Sequence, residues 1–104
     1  MEYYKLPQSD LTVSKIALGC MRISGKSVEE VEELVKTALD LGINFFDHAD
    51  IYGGGKSEEV FGEVLKRHPE YRAKMILQTK CGIVPGKRYD FSKEHILQCV
   101  NDSL

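Results

Sequence analysis

Phe45-Phe46-Asp47-His48-Ala49-Asp50-Ile51-Tyr52-Gly53-Gly54-Gly55 joins two kinds of sequence within eleven residues. An apolar run ends in an acid, and a tyrosine follows five residues later at the start of three glycines. A second apolar run, Met75-Ile76-Leu77-Gln78-Thr79-Lys80, ends in a lysine. Runs of this length, bounded by turn residues, read as buried strands. The sequence between them supplies a helix, so the repeating element is strand, helix, strand, as parallel sheets require.

Ser27 and Glu30 have the spacing of a capping box, in which each side chain satisfies a free amide at a helix start. Val28, Val31, Leu34, Val35, Ala38 and Leu39 then recur at three- and four-residue steps along one face. Gly42, just past Leu41, suits a left-handed helix end. Strand two runs from Ile43 to Asp47. Ser57-Glu58-Glu59 opens a second helix with acids in its first turn, where the helix dipole favours them. Its inward face is Val60, Phe61, Val64 and Leu65, and Pro69 marks its end. Strand three runs from Met75 to Lys80. A loop containing Pro85-Gly86 leads to Ser92, an N-cap for a third helix whose inward residues are Ile96, Leu97, Val100 and Leu104. That helix has no C-cap and stops on an apolar residue, which reads as a cut in a longer chain.

Upstream, residues 3–6 and 11–13 flank the turn-rich Pro7-Gln8-Ser9-Asp10 and read as a hairpin. Lys15-Ile16-Ala17-Leu18-Gly19 is a first strand. The expected fold is therefore α/β in one unit, residues 1–104: a hairpin over 3–13, then three β-α units over 15–104. The strands are continuous apolar runs, which predicts a parallel sheet covered on both faces. Periodicity alone does not separate an open doubly wound sheet from part of a barrel.

The chain has 104 residues, 42% of them hydrophobic and 29% charged, and a net charge of -2. This is the composition of a globular domain, with no basic footprint for nucleic acid or an anionic membrane. Cys20, Cys81 and Cys99 lie far apart, with no Cys-x-x-Cys or Cys/His spacing for zinc. Free thiols point to a reducing compartment, the cytoplasm. The N-terminus has no signal-peptide core, and no apolar run is long enough to span a membrane.

If the fold is a β/α barrel, reactive side chains gather at the C-terminal strand ends. Asp47 and Lys80 occupy that position on consecutive strands, with Tyr52 in the loop above. A phenol ordinarily holds its proton to about pH 10. A neighbouring ammonium favours the phenolate, which makes Tyr52 a usable proton donor to a developing alkoxide. Asp47 would orient Lys80 and keep it charged. Taken singly, each has a plainer reading, as a turn acid, a packed tyrosine and a solvated lysine. Their shared placement is what points to proton transfer. No metal site is expected.

Gly42-Ile43-Asn44-Phe45-Phe46-Asp47-His48-Ala49-Asp50-Ile51-Tyr52-Gly53-Gly54 resembles the aldo-keto reductase motif, a strand-end Asp with a Tyr five residues on. The Asp47-to-Gly54 octet is close to one bacterial oxidoreductase subgroup. Ser57-Glu58, Phe61-Gly62-Glu63 and Leu65 continue the likeness. Gln78-Thr79-Lys80-Cys81-Gly82 is similar to the strand that carries the family's catalytic Lys, and Leu18-Gly19-Cys20-Met21-Arg22 to the loop that lines the nicotinamide end of the cofactor. The resemblance covers nearly the whole chain. It implies the first three β-α units of an eightfold (β/α)8 TIM barrel, an incomplete barrel, and NADPH-dependent reduction of a small carbonyl substrate. Asp47, Tyr52 and Lys80 would be catalytic, with Tyr52 the general acid. Gly19, Cys20, Met21, Arg22 and Asp47 would face the cofactor. The family's fourth catalytic residue, a histidine on the next strand, has no counterpart: His48 lies inside the motif and would point at a neighbouring strand or the substrate pocket. Most of the family's phosphate-binding elements lie on later strands. The expectation is thus a fragment that is inactive by itself and binds NADPH weakly or not at all.

Two other functions compete. Unpaired strand edges invite pairing with another copy, which would make the chain a non-catalytic, homo-oligomeric assembly or binding module. Gly55-Lys56-Ser57 before a helix suggests a phosphate-binding P-loop. That motif requires glycine five residues before Gly55, where Asp50 stands, and Asp47 and Asp50 would repel phosphates. Leu18-Gly19-Cys20-Met21-Arg22 also lacks the glycine spacing of a Rossmann dinucleotide site.

Overall fold

The computed structural model describes residues 1–104. The elements in chain order are β1 (Tyr3–Lys5), β2 (Thr12–Ser14), β3 (Leu18–Gly19), α1 (Val28–Asp40), β4 (Phe45–Asp47), α2 (Lys56–Arg67), β5 (Ile76–Gln78), β6 (Ile83–Val84), β7 (Arg88–Tyr89) and α3 (Lys93–Ser103). Short 3-10 turns, Tyr52–Gly55 and Pro69–Lys74, precede α2 and β5.

β3, β4 and β5 form a parallel three-stranded sheet in sequence order. Its register aligns Leu18, Phe46 and Leu77 in one row and Gly19, Asp47 and Gln78 in the next. Successive strand residues face opposite ways, so the two rows serve different purposes. Phe46 is fully buried against Val31, Val35 and Ala38 of α1 and Phe61 and Val64 of α2, with Leu18 and Leu77 packed on the same cluster. Each such apolar side chain contributes about 1.5–3 kcal/mol on burial, which makes this layer the main source of stability. The Phe46 and Phe61 rings meet at 5.5 Å, tilted.

Helices α1 and α2 cover only the Phe46 face. On the other face Phe45 and Ile76 are half-exposed and Gln78 is exposed. The expectation of a sheet covered on both faces is corrected accordingly: the helices form one layer, on the Phe46 side.

The capping box of α1 forms as read, with Ser27 Oγ accepting from Glu30 N at 3.1 Å and Glu30 Oε1 accepting from Ser27 N at 3.1 Å. Gly42 adopts φ +88°, the left-handed helix end. The strands are shorter than the apolar runs. Asn44, just before β4, still accepts from Ile76 N at 2.7 Å, while its side chain ties down the N-terminal hairpin, accepting from Ser14 N at 2.7 Å and donating to Thr12 O at 3.0 Å. The β1–β2 hairpin therefore sits at the N-terminal ends of the sheet strands, away from the loops that follow them.

Three further expectations change. Helix α2 starts at Lys56, one residue ahead of the expected Ser57-Glu58-Glu59 opening, with Gly55 as its cap, and the Ser57 hydroxyl is fully buried without a partner. The loop around Pro85-Gly86 is a hairpin: Lys87 N donates to Val84 O at 3.0 Å, Gly86 has φ +71°, and β6 pairs β7. Two-residue strands are too short to show periodicity. Finally, α3 is capped by Ser92 as expected, but Ile96, Leu97, Val100 and Leu104 are exposed and only Cys99 is buried. No parallel strand follows α3 in these residues to complete the surface its apolar face would need.

Candidate active site

The C-terminal ends of β4 and β5 are held together beyond the strands themselves. Cys20 N donates to Asp47 O at 2.9 Å, His48 N to Gln78 O at 2.8 Å and Asp50 N to Lys80 O at 3.1 Å. These bonds continue the ladder and fix where Asp47 and Lys80 stand. Lys80 Nζ donates to Asp47 Oδ1 at 2.7 Å and to His48 O at 2.6 Å. Gln78 Nε2 donates to the same Asp47 Oδ1 at 2.6 Å.

Tyr52 reaches the pair from the 3-10 turn after β4. Its N–H donates to Ala49 O at 3.1 Å, and its ring centroid lies 5.1 Å from Lys80 Nζ. A cation at that distance from an aromatic face is attracted to it. The turn is built on glycine. Gly53, Gly54 and Gly55 all have left-handed φ, at +61°, +66° and +97°. A side chain on Gly53 would also collide with Ser24, its Cβ falling 2.3 Å from Ser24 Cβ.

The electrostatics are those of a charged pair. The hydrogen bond from Lys80 holds the Asp47 carboxyl below its usual range, against partial burial and with help from Gln78. Burial works against the Lys80 ammonium, but its contacts with Asp47 and Tyr52 prevail and raise its pKa. At neutral pH the pair is carboxylate and ammonium, both only partly exposed.

The residues singled out on β3 divide. Gly19 pairs with Asp47 and has open space where a side chain would stand. Met21 and Arg22 are exposed next to it. Cys20 instead points into the core, fully buried, and burial followed by the charge of Asp47 pushes its thiol up to about 12. Any contact Cys20 makes on the site side comes from its backbone.

His48 lies one residue past Asp47 and faces the other way. It is buried against Phe61, with ring centroids 4.5 Å apart and near-perpendicular, and burial lowers its pKa. The substrate-pocket alternative for His48 is corrected by strand alternation, which turns its side chain to the helix layer. Gln78, quoted in the motif around Lys80 without a role of its own, is the further polar side chain at the site; its contact with Asp47 follows from cross-strand register, which the local sequence does not display.

The P-loop reading finds no support in the geometry. The three glycines close a tight turn instead of an open cradle, and the buried Ser57 hydroxyl cannot reach a metal. The groove of about 510 Å³ between α2 and α3 is lined by Glu58, Glu59, Glu63 and Asp102, a lining that repels phosphates. No cluster of His, Cys, Asp or Glu is arranged to hold a metal ion.

The Aldo/keto reductase family model matches residues 15–104. The chain is 42% identical over 110 residues to the 6-dehydroglucose reductase of Novosphingobium aromaticivorans, covering 98% of this chain and 36% of that protein. It is 41% identical to the uncharacterized oxidoreductase YcsN of Bacillus subtilis, over 91% of this chain and 35% of that one. Among solved structures, a holo aldo-keto reductase from Bacillus halodurans superposes with a TM-score of 0.83 at 38% identity, over 100% of this chain and 35% of its own. The chain thus spans about a third of the length of the curated relatives it matches, and its fold is an incomplete part of their barrel.

Proposed function

This chain belongs to the aldo/keto reductase family, and we propose that it carries the proton-transfer half of an NADPH-dependent carbonyl reductase. The observation that carries this reading is the Asp47–Lys80 pair at 2.7 Å with the Tyr52 ring beside the ammonium, all at the C-terminal strand ends. Tyr52 is the general acid, protonating the carbonyl oxygen as it becomes an alkoxide. Lys80 faces the phenol with a positive charge that stabilises its developing negative one. Asp47 keeps Lys80 charged and directed. The substrate is a small aldehyde or ketone.

The cofactor fits what is present on the β3 side. Gly19 leaves open space beside Asp47, and Met21 and Arg22 flank it at the surface. NADPH, when bound, supplies the hydride. Gly19, Met21 and the Cys20 backbone would line its nicotinamide end, and Arg22 offers a cation for a phosphate. Such a surface is slight for so large a ligand, which supports weak or no binding by these 104 residues and no turnover without the rest of the barrel. Three unpaired thiols support a cytoplasmic setting.

A second reading, a self-associating module, draws on the unpaired outer edges of β3 and β5 and the exposed apolar face of α3. The test is carbonyl-dependent consumption of NADPH by the chain alone and by a protein in which it is continued to a whole barrel. Turnover only in the latter, falling about 10²–10⁴-fold in Tyr52→Phe, is expected. Tyr52-dependent turnover by the chain alone would overturn the predicted inactivity, and Tyr52-independent turnover would overturn the role of the phenol. A light-scattering mass of one chain at high concentration would count against the second reading.

A further inference from the structure

Asp47 Oδ1 accepts two short hydrogen bonds, one from Lys80 and one from Gln78. Lys80 is at the end of a flexible four-carbon stem and is itself shared between Asp47 and the His48 carbonyl. Two of its three N–H groups are thereby committed, which leaves one for the side on which Tyr52 lies. An aspartate carboxyl turns easily about its terminal torsion. A carboxylate held only by a mobile lysine would therefore not fix where that lysine points. Gln78 differs from Lys80 in being anchored within β5, directly across from Asp47 in the strand register. It is also neutral. It fixes the carboxylate without adding a second cation that would compete with Lys80 for Asp47 or for Tyr52.

We propose that Gln78 is a positioning residue, which fixes the Asp47 carboxylate from β5 so that the remaining N–H of Lys80 is aimed at Tyr52. The assignment rests on the reading of Asp47, Tyr52 and Lys80 as the proton-transfer set, but its geometry does not. Besides Gln78 and Lys80 from β5 and the loop after it, Asp47 has the Cys20 thiol and the His48 ring as titratable neighbours. Both are buried: the thiol, its pKa raised, stays neutral as Asp47 titrates, whereas the imidazole, its pKa lowered by burial, acts on the Asp47 carboxyl in the same direction as Lys80 when it carries a proton.

The experiment is an NMR titration of the Asp47 carboxyl in the 104-residue chain, assigned with Asp47→Asn. It compares the parent with Gln78→Leu, which keeps the bulk and removes the donor, and with Gln78→Glu, which places a like charge there. The Asp47 midpoint is expected to shift upward in Gln78→Leu and further upward in Gln78→Glu, with the Lys80 ammonium resonance displaced in both and the circular dichroism spectrum unchanged. In the continued barrel, Gln78→Leu is expected to lower kcat about ten- to hundredfold, the effect of a misplaced reacting group, with the KM for the carbonyl unchanged. An Asp47 midpoint and Lys80 resonance that stay where they are in both variants overturn the proposal, even if Tyr52→Phe abolishes turnover. A shifted midpoint with turnover indifferent to Tyr52 leaves the positioning standing and removes the functional reading instead.

Discussion

Substituting alanine for Gly53 separates two costs that the structure assigns to the turn carrying Tyr52. Gly53 and Gly54 have nearly the same left-handed backbone, φ +61° and +66°. That conformation costs an L-residue about 1–2 kcal/mol. Part of this is offset because alanine also restricts the unfolded chain, by about 0.4–1 kcal/mol. Gly54→Ala has nothing within 4 Å of its new Cβ, so its net loss is the backbone cost alone, about 1 kcal/mol. Gly53→Ala adds a collision, with Ser24 Cβ at 2.3 Å and Ser24 Oγ at 2.5 Å. The Cβ cannot swing aside as a long side chain would, so the turn or the Ser24 loop must move. Overpacking of this kind costs about 1–3 kcal/mol more. The assay is urea unfolding followed by circular dichroism for Gly53→Ala, Gly54→Ala, Ser24→Gly and Ser24→Gly/Gly53→Ala. The expected pattern is a larger loss at Gly53 than at Gly54, with most of the excess recovered in the double variant. Equal losses at the two glycines, or no recovery, would refute the reasoning and with it the packing of the Tyr52 turn on the Ser24 loop.

The acid limb of stability should carry the Asp47–Lys80 pair. The Asp47 pKa is lowered in the folded chain from 3.8, so its contribution is present above the unfolded value and lost as pH falls through the folded one. Asp47→Asn should remove that part of the slope in melting temperatures measured below pH 5 and lower the plateau above it, where the contribution of the carboxylate is fully present. Native alkylation with iodoacetamide should modify Cys81, which is half-buried, and spare Cys20 and Cys99, both buried with thiols pushed up to about 12 and about 11; mass spectrometry of tryptic peptides reads this directly. Phe61→Ala should cost about 3–5 kcal/mol of unfolding free energy, since it empties the contact shared by Phe46 and His48. A loss below about 1 kcal/mol, within the range of ordinary surface substitutions, would mean that the helix layer is not packed as described.

What was legible in the sequence was local or periodic. The Ser27/Glu30 box, the Gly42 helix end and the inward faces of α1 and α2 all depend on residues within a turn or two of each other. The placement of Asp47 and Lys80 at strand ends followed from where apolar runs stop. The missed features depend on the partners each residue meets in space. Asn44 matters because its side chain holds a hairpin 30 residues earlier. Gln78 matters because of the strand it faces, and α2 begins at Lys56 because the preceding glycines turn left-handed. The face of α3 was read correctly as apolar, but burial also requires a partner surface. His48 could have been assigned from strand alternation alone, since it stands two residues from Phe46.

The two rows of the sheet tie assembly to chemistry. Leu18, Phe46 and Leu77 make the core, and Gly19, Asp47 and Gln78 stand one residue further on. A strand displaced by one position exchanges its faces. Losing a single residue from β4 would aim Asp47 at the helices and Phe46 at the open side, so the molecule would forfeit its hydrophobic layer and its charged pair together. No misaligned sheet can therefore persist as a stable protein with a scrambled site. For anyone reshaping this region, the chemistry can be altered by exchanging side chains within the second row, whereas insertions and deletions in these strands are closed to variation.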